Sequence, residues 1–141
     1  MQDDKGPKKI RVSVVDIDGV LRGKIITKNK FESIQKNGMG FCSVIFAWDM
    51  NDQCYDDVEI TGLHTGYHDI IAYPDINSER LIPFDNTKFY MMDFPDCVAC
   101  PRNLLKNIIS KADKLGYKAN FGLEYEWFNF LESSNNLYAK N

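Results

Sequence analysis

No apolar run in the sequence approaches the ~20 residues that a membrane-spanning helix needs. Met1 to Pro7 is polar where a secretory signal would carry its apolar segment, which favours a cytoplasmic home with no membrane partner. An excess of positive charge is lacking too: 17 Lys and Arg stand against 20 Asp and Glu, for a net charge of −3. General nucleic-acid binding is driven by clustered cations that release counterions on meeting phosphate. The single basic cluster here, Lys5, Lys8, Lys9 and Arg11, lies at a polar terminus and reads as solvated charge, so no nucleic-acid partner is expected. Low-complexity tracts and internal repeats are absent. Cysteine is sparse: Cys97-Val98-Ala99-Cys100 has redox or zinc spacing, but a structural zinc site needs a second close pair, and Cys42 and Cys54 stand twelve apart. His64 and His68, four apart in a loop-like region, do not complete such a site, and the thiols read as reduced and incidental in a reducing compartment.

What remains is a 141-residue chain, 44% apolar or aromatic and 26% charged, sized for one domain or for a small domain followed by the opening of a second. Ile10 to Asp16 reads as a buried strand and Val20 to Thr27 as its return, a hairpin with Ile17-Asp18-Gly19 at the tip. Asn29 is placed to cap a short helix through Lys36, stopped by Gly38 and Gly40. Alternation predicts a strand over Phe41 to Ala47, and Asp49 to Tyr67 reads as a long loop, a feature more often functional than idle. Asp69 to Tyr73, Glu79 to Pro83 and Lys88 to Phe94 add short strands, the last bulky and apolar enough to be central. Pro101 to Leu115 is the clearest helix, with proline in its first turn, Gly116 at its stop and a stripe of Leu104, Leu105, Ile108, Ile109, Ala112 and Leu115, leaving Lys106 on the solvated side. Tyr117 to Leu131 is read as a long strand. The fold class is therefore α+β: a tail over 1–9, a β-grasp-like sheet domain over 10–100, and the first helix and strand of a second unit over 101–141.

"VSVVDIDGVL" matches the nucleophile loop of haloacid dehalogenase-type phosphatases, with Asp16 as nucleophile and Asp18 as general acid. Such an enzyme needs parallel strands joined by crossover helices, whereas the segment after Gly19 returns at once as a strand. It also needs a late acidic pair for magnesium, and Asp93 and Asp96 lack the accompanying loop. A motif counts only in its structural context.

A second chemical signal lies in "NFGLEYEWFNF", Asn120 to Phe130. In a strand Glu124 and Glu126 share one face, with same-face neighbours about 7 Å apart. That spacing suits each carboxylate to one ion of a pair of hard divalent cations, and equally suits a solvent-facing acidic pair.

Five segments, "VDIDGVLRGK", "GYHDIIAYPD", "RLIPF", "CPRNLLKNIISKADKLGY" and "FGLEYEWF", resemble in order the N-terminal part of glutamine synthetase-like proteins. The resemblance implies a β-grasp domain opened by the Asp16 hairpin, followed by the start of a catalytic domain. It implies that Glu124 and Glu126 are ligands of paired Mg2+ or Mn2+ ions. It further implies ATP as co-substrate, glutamate and ammonia or an amine as substrates, γ-glutamyl phosphate as intermediate, and a homo-oligomeric ring whose N-terminal domains help close the neighbouring active site. Asp57 and Asp69, with Asp56 beside them, are the loop carboxylates placed to bind ammonium or amine. The Asp-Gly-Ser-Ser loop of well-studied members is absent and "RGK" is a variant, which brings a γ-glutamyl amine or polyamine ligase forward beside glutamine synthetase itself. The chain ends soon after the glutamate strand. Alone it is expected to be inactive, and a non-catalytic β-grasp scaffold or regulatory subunit stands as the alternative.

Overall fold

The structure, a computed structural model, describes residues 9–129 together with 131, 133, 135 and 136. Strand β1 (Ile10–Val15) and strand β2 (Leu21–Ile26) form the expected hairpin, paired from Ile10↔Ile26 to Val15↔Leu21. Its tight return is possible because Gly19 takes φ +81°, the left-handed region that glycine enters without a Cβ clash. Helix α1 (Lys28–Asn37) is capped by Thr27, whose hydroxyl accepts from the Lys30 amide, two residues before the expected Asn29. Gly38, at φ +67°, ends it.

Strands β3 (Met39–Cys42), β4 (Asp69–Pro74), β5 (Arg80–Leu81) and β6 (Lys88–Asp93) complete a mixed sheet in the order β2-β1-β6-β4-β3, with β5 on β6. β6 is central, as its apolar run implied, and runs parallel to β1. The strand expected over Phe41 to Ala47 stops at Cys42. The Ser43 amide donates to the His68 carbonyl and the chain turns into a 3-10 coil, Ser43–Phe46, which buries Ser43, Ile45 and Phe46 together. The strand expected over Glu79 to Pro83 shrinks to two residues.

Ile10, Val12 and Val14 face α1, whose buried face is Phe31 and Ile34. Phe31 packs on Tyr90 with ring centroids 4.5 Å apart. Phe94 lies fully buried between the edges of Phe41 and Phe46, at 6.0 and 5.5 Å. Each such side chain contributes roughly 1.5–3 kcal/mol of burial. Cys97 and Cys100 belong to the same core, and burial pushes the Cys97 thiol up, away from reactive thiolate.

Beside the core, Glu79 accepts from Lys88 at 2.7 Å and from the Tyr90 hydroxyl, and these two bonds, Lys88 first, hold its pKa below the ordinary 4.5. A depressed carboxylate stabilises the fold above its unfolded pKa and loses that contribution as pH falls through the native value. Glu79→Gln is therefore expected to lower stability at neutral pH and to flatten the acid limb of a stability-against-pH curve, the two proteins converging as pH falls below about 4.5. An unaltered acid limb in urea titrations at several pH values would contradict this.

Helix α2 (Pro101–Lys114) starts at the expected proline and stops before Gly116, at φ +83°. Its packing differs from the expectation. Arg102 bridges Asp75 and Asp93, Lys106 is exposed as expected and also reaches Asp93, and the Asn103 amide donates to the Phe94 carbonyl. α2 thus meets the sheet through polar side chains, while Leu104, Leu105, Ile108 and Leu115 are exposed. Residues 117–129 form no ladder with any described strand, against the long strand expected there, because no described element lies beside them to share backbone hydrogen bonds. Position 130 of that expected strand falls outside the described residues. No helix among the described residues is long and apolar enough to cross a membrane.

Candidate functional site

Asp16, at the end of β1, is fully buried. One carboxylate oxygen accepts from the amides of Asp18 (3.0 Å) and Val20 (2.8 Å); the other accepts from Arg22 Nε at 2.7 Å. A nucleophile must be free to meet substrate, whereas this carboxylate spends both oxygens closing the hairpin tip. The strand after it returns antiparallel, so the phosphatase geometry is not formed. Asp18 is exposed at the tip.

Arg22 faces this tip from β2. Beyond Asp16, its guanidinium donates to Asp52 Oδ1 at 2.6 Å and to the Asp49 carbonyl at 3.3 Å, and it lies 4.8 Å above the Trp48 ring. Asp16 raises the arginine's pKa further above its ordinary value. Sequence reasoning noted "RGK" only as a variant. The available signal was an arginine six residues after an apolar-strand aspartate, across a hairpin turn where the two side chains can meet.

The loop that Arg22 holds is acidic and built from local turns. Between Lys36 and Arg80 the sequence contains no Lys or Arg. The Asp49 carboxylate accepts from the amides of Asn51 and Gln53, the Asp52 backbone is left-handed at φ 62°, and Trp48 and Cys54 form an isolated bridge. Partial desolvation first, then the charges of Asp18 and Asp49, push the Tyr55 phenol up. Asp56 and Asp57 follow, exposed, with Asp57 at φ 55°. Asp69 is exposed at the start of β4, against Gly40 of β3. No hydrogen bond among the described residues joins Asp57 to Asp69.

Glu124 and Glu126 are exposed and alternate with exposed Leu123, Tyr125 and Trp127. Their donor chemistry, two hard carboxylates two residues apart, fits a divalent cation. Among the described residues no group of three or more His, Cys, Asp or Glu converges on a metal-sized site, so the pair would supply part of a coordination shell.

The chain is 44% identical over 138 residues to Type-1 glutamine synthetase 2 of Dictyostelium discoideum, an alignment covering 94% of this chain and 26% of that protein. It is 36% identical over 126 residues to the glutamate–isopropylamine ligase of a Pseudomonas species, covering 84% of this chain and 28% of that one. The chain belongs to the glutamine synthetase family. Its backbone superposes on a solved GmaS–ADP complex with a TM-score of 0.56 at 23% identity, over 79% of this chain and 24% of that one, a likeness of fold. No family model matches the chain. The chain thus spans about a quarter of the length of the glutamine synthetase relatives it matches.

Proposed function

We propose that this chain is the N-terminal part of an ATP-dependent ligase that joins ammonia or an amine to the γ-carboxylate of glutamate through γ-glutamyl phosphate. The observation that carries the reading is the 44% identity to a glutamine synthetase across nearly the whole chain. The similarity to a glutamate–isopropylamine ligase supports an amine as nucleophile, and the GmaS complex with ADP supports a nucleotide co-substrate. The parallel β1–β6 pair under α1 supports a β-grasp domain over 10–100. The exposed apolar side chains of α2 and of 117–129 support their belonging to a second unit. Family likeness further supports a cytoplasmic homo-oligomeric ring.

In this reading Glu124 and Glu126 hold Mg2+ or Mn2+, which when bound neutralises phosphate oxygens and developing charge during transfer. The two glutamates contribute fixed negative charge on a short stretch of chain. Asp57 and Asp69 are the carboxylates placed to attract an ammonium or alkylammonium ion, whose positive charge is lost when it becomes the nucleophile.

Ammonia and a primary amine such as isopropylamine are expected to differ in kcat/KM by tenfold or more, about 1.4 kcal/mol of transition-state discrimination. The protein as its own cell makes it, assayed by phosphate release with glutamate and each nucleophile, provides the comparison. Equal values for both, or turnover with ammonia alone, would remove the amine-ligase form of the proposal.

A further inference from the structure

We propose that Arg22 is a positioning residue: its guanidinium, fixed by buried Asp16, clasps the Trp48–Tyr55 loop onto the tip of the β1–β2 hairpin and so sets where Asp57, two residues beyond that loop, meets an amine. The second half rests on the ligase reading; the first stands on geometry alone.

Four contacts converge on one side chain. Asp16 is 0% exposed and accepts from two backbone amides as well as from Arg22, so its position is over-determined and the arginine is held at a fixed angle. The remaining guanidinium nitrogens reach Asp52 at 2.6 Å and the Asp49 carbonyl at 3.3 Å, thirty and twenty-seven residues away in sequence. A planar fork can serve two carboxylates at once with preset directions, which a lysine cannot. The Trp48 ring lies against the same guanidinium, the Ile17 N–H of the hairpin tip donates to the Ile45 carbonyl just before the loop at 3.2 Å, and the Tyr55 N–H closes the loop on itself through the Ala47 carbonyl at 2.8 Å. The loop has few buried apolar residues of its own: Met50 and Tyr55 are exposed, and Asp52 turns the chain at φ 62°. Loops of this kind open locally at low cost unless pinned. The pin is Arg22. The Asp-x-Asp-Gly hairpin thereby acquires a role that uses neither aspartate as a nucleophile.

The variant that isolates the clasp is Asp52→Ala. Asp52 has a side chain 59% exposed, so removing it leaves the Asp16–Arg22 pair and the core intact, whereas Arg22→Gln would strand a buried carboxylate and risk unfolding. Hydrogen exchange followed by mass spectrometry on the chain is expected to show amides of 49–55 exchanging about fivefold faster in Asp52→Ala, the scale of one partly exposed ion pair, with β1 and β6 unchanged. Asp52→Glu should restore most of the protection. In the protein as its cell makes it, the same variant should raise KM for the amine about fivefold at nearly unchanged kcat and unchanged KM for ATP. Unaltered loop exchange overturns the clasp. Faster exchange with unchanged amine KM overturns the positioning role. Absence of ATP-dependent amide formation in the wild-type protein overturns the ligase reading and the positioning role with it, while the exchange experiment still decides the clasp.

Discussion

Replacing Glu124 and Glu126 together by glutamine is expected to lower ATP-dependent amide formation by about a thousandfold, the scale lost when charge stabilisation at a phosphoryl or acyl centre is removed. Glutamine keeps the size and the hydrogen-bonding oxygen and removes the anionic charge that a hard cation selects. Both side chains are exposed, so thermal stability should not change by more than about 0.5 kcal/mol. Mn2+ binding, followed by electron paramagnetic resonance of the free ion, supplies a readout independent of turnover and should weaken in parallel. Retained Mn2+ affinity with retained turnover would place the metal elsewhere. Single variants should fall between the wild type and the pair if each carboxylate holds a different ion.

Asp16→Ala is expected to destabilise the fold by about 3 kcal/mol. The substitution leaves the amides of Asp18 and Val20 without their acceptor and removes the buried partner of Arg22. Asp18→Ala, at an exposed tip position, should cost no more than about 0.5 kcal/mol. Urea denaturation followed by tryptophan fluorescence separates the two, Trp48 lying against Arg22. Equal effects of the two variants would mean that the buried network does not hold the hairpin tip. A phosphatase nucleophile would show the reverse pattern, with activity lost on Asp16 replacement and stability retained.

Local pattern revealed the hairpin, both helices and the central place of β6, because each is set by short-range features: an Asp-Gly turn, helical caps and a continuous apolar run. Phe41 to Ala47 misled for a physical reason. Alternation over Phe41, Ser43 and Ile45 looks the same whether the chain stays in the sheet or folds into a 3-10 turn, and only the distant His68 carbonyl decides between them. Helix α2 shows the same limit. Its apolar stripe was legible, but which face meets the sheet is set by Arg102, Asn103 and Lys106 finding Asp75, Asp93 and the Phe94 carbonyl, all of them tertiary partners. Of the candidate site, the two glutamates and the acidic loop were visible as residues. Arg22 was not, since its importance comes from joining Asp16, Asp49 and Asp52 across about thirty residues of sequence, which no local window contains.

The exposed surface of α2 and of Tyr117, Phe121, Leu123, Tyr125 and Trp127 fits the quarter-length span of the alignments. The sheet domain carries its own core in Val12, Val14, Ile34, Ala72, Met92 and Phe94, whereas α2 buries no residue. The core lies before Pro101, and the candidate metal ligands lie after it.

The most direct test of the ligase reading is the product itself. The protein as its own cell makes it, incubated with ATP, Mg2+, glutamate and a primary amine, is expected to yield γ-glutamyl amide, ADP and phosphate in equal amounts by mass spectrometry and phosphate assay. ADP and phosphate without amide, or no ATP consumption with either amine or ammonia, would contradict it.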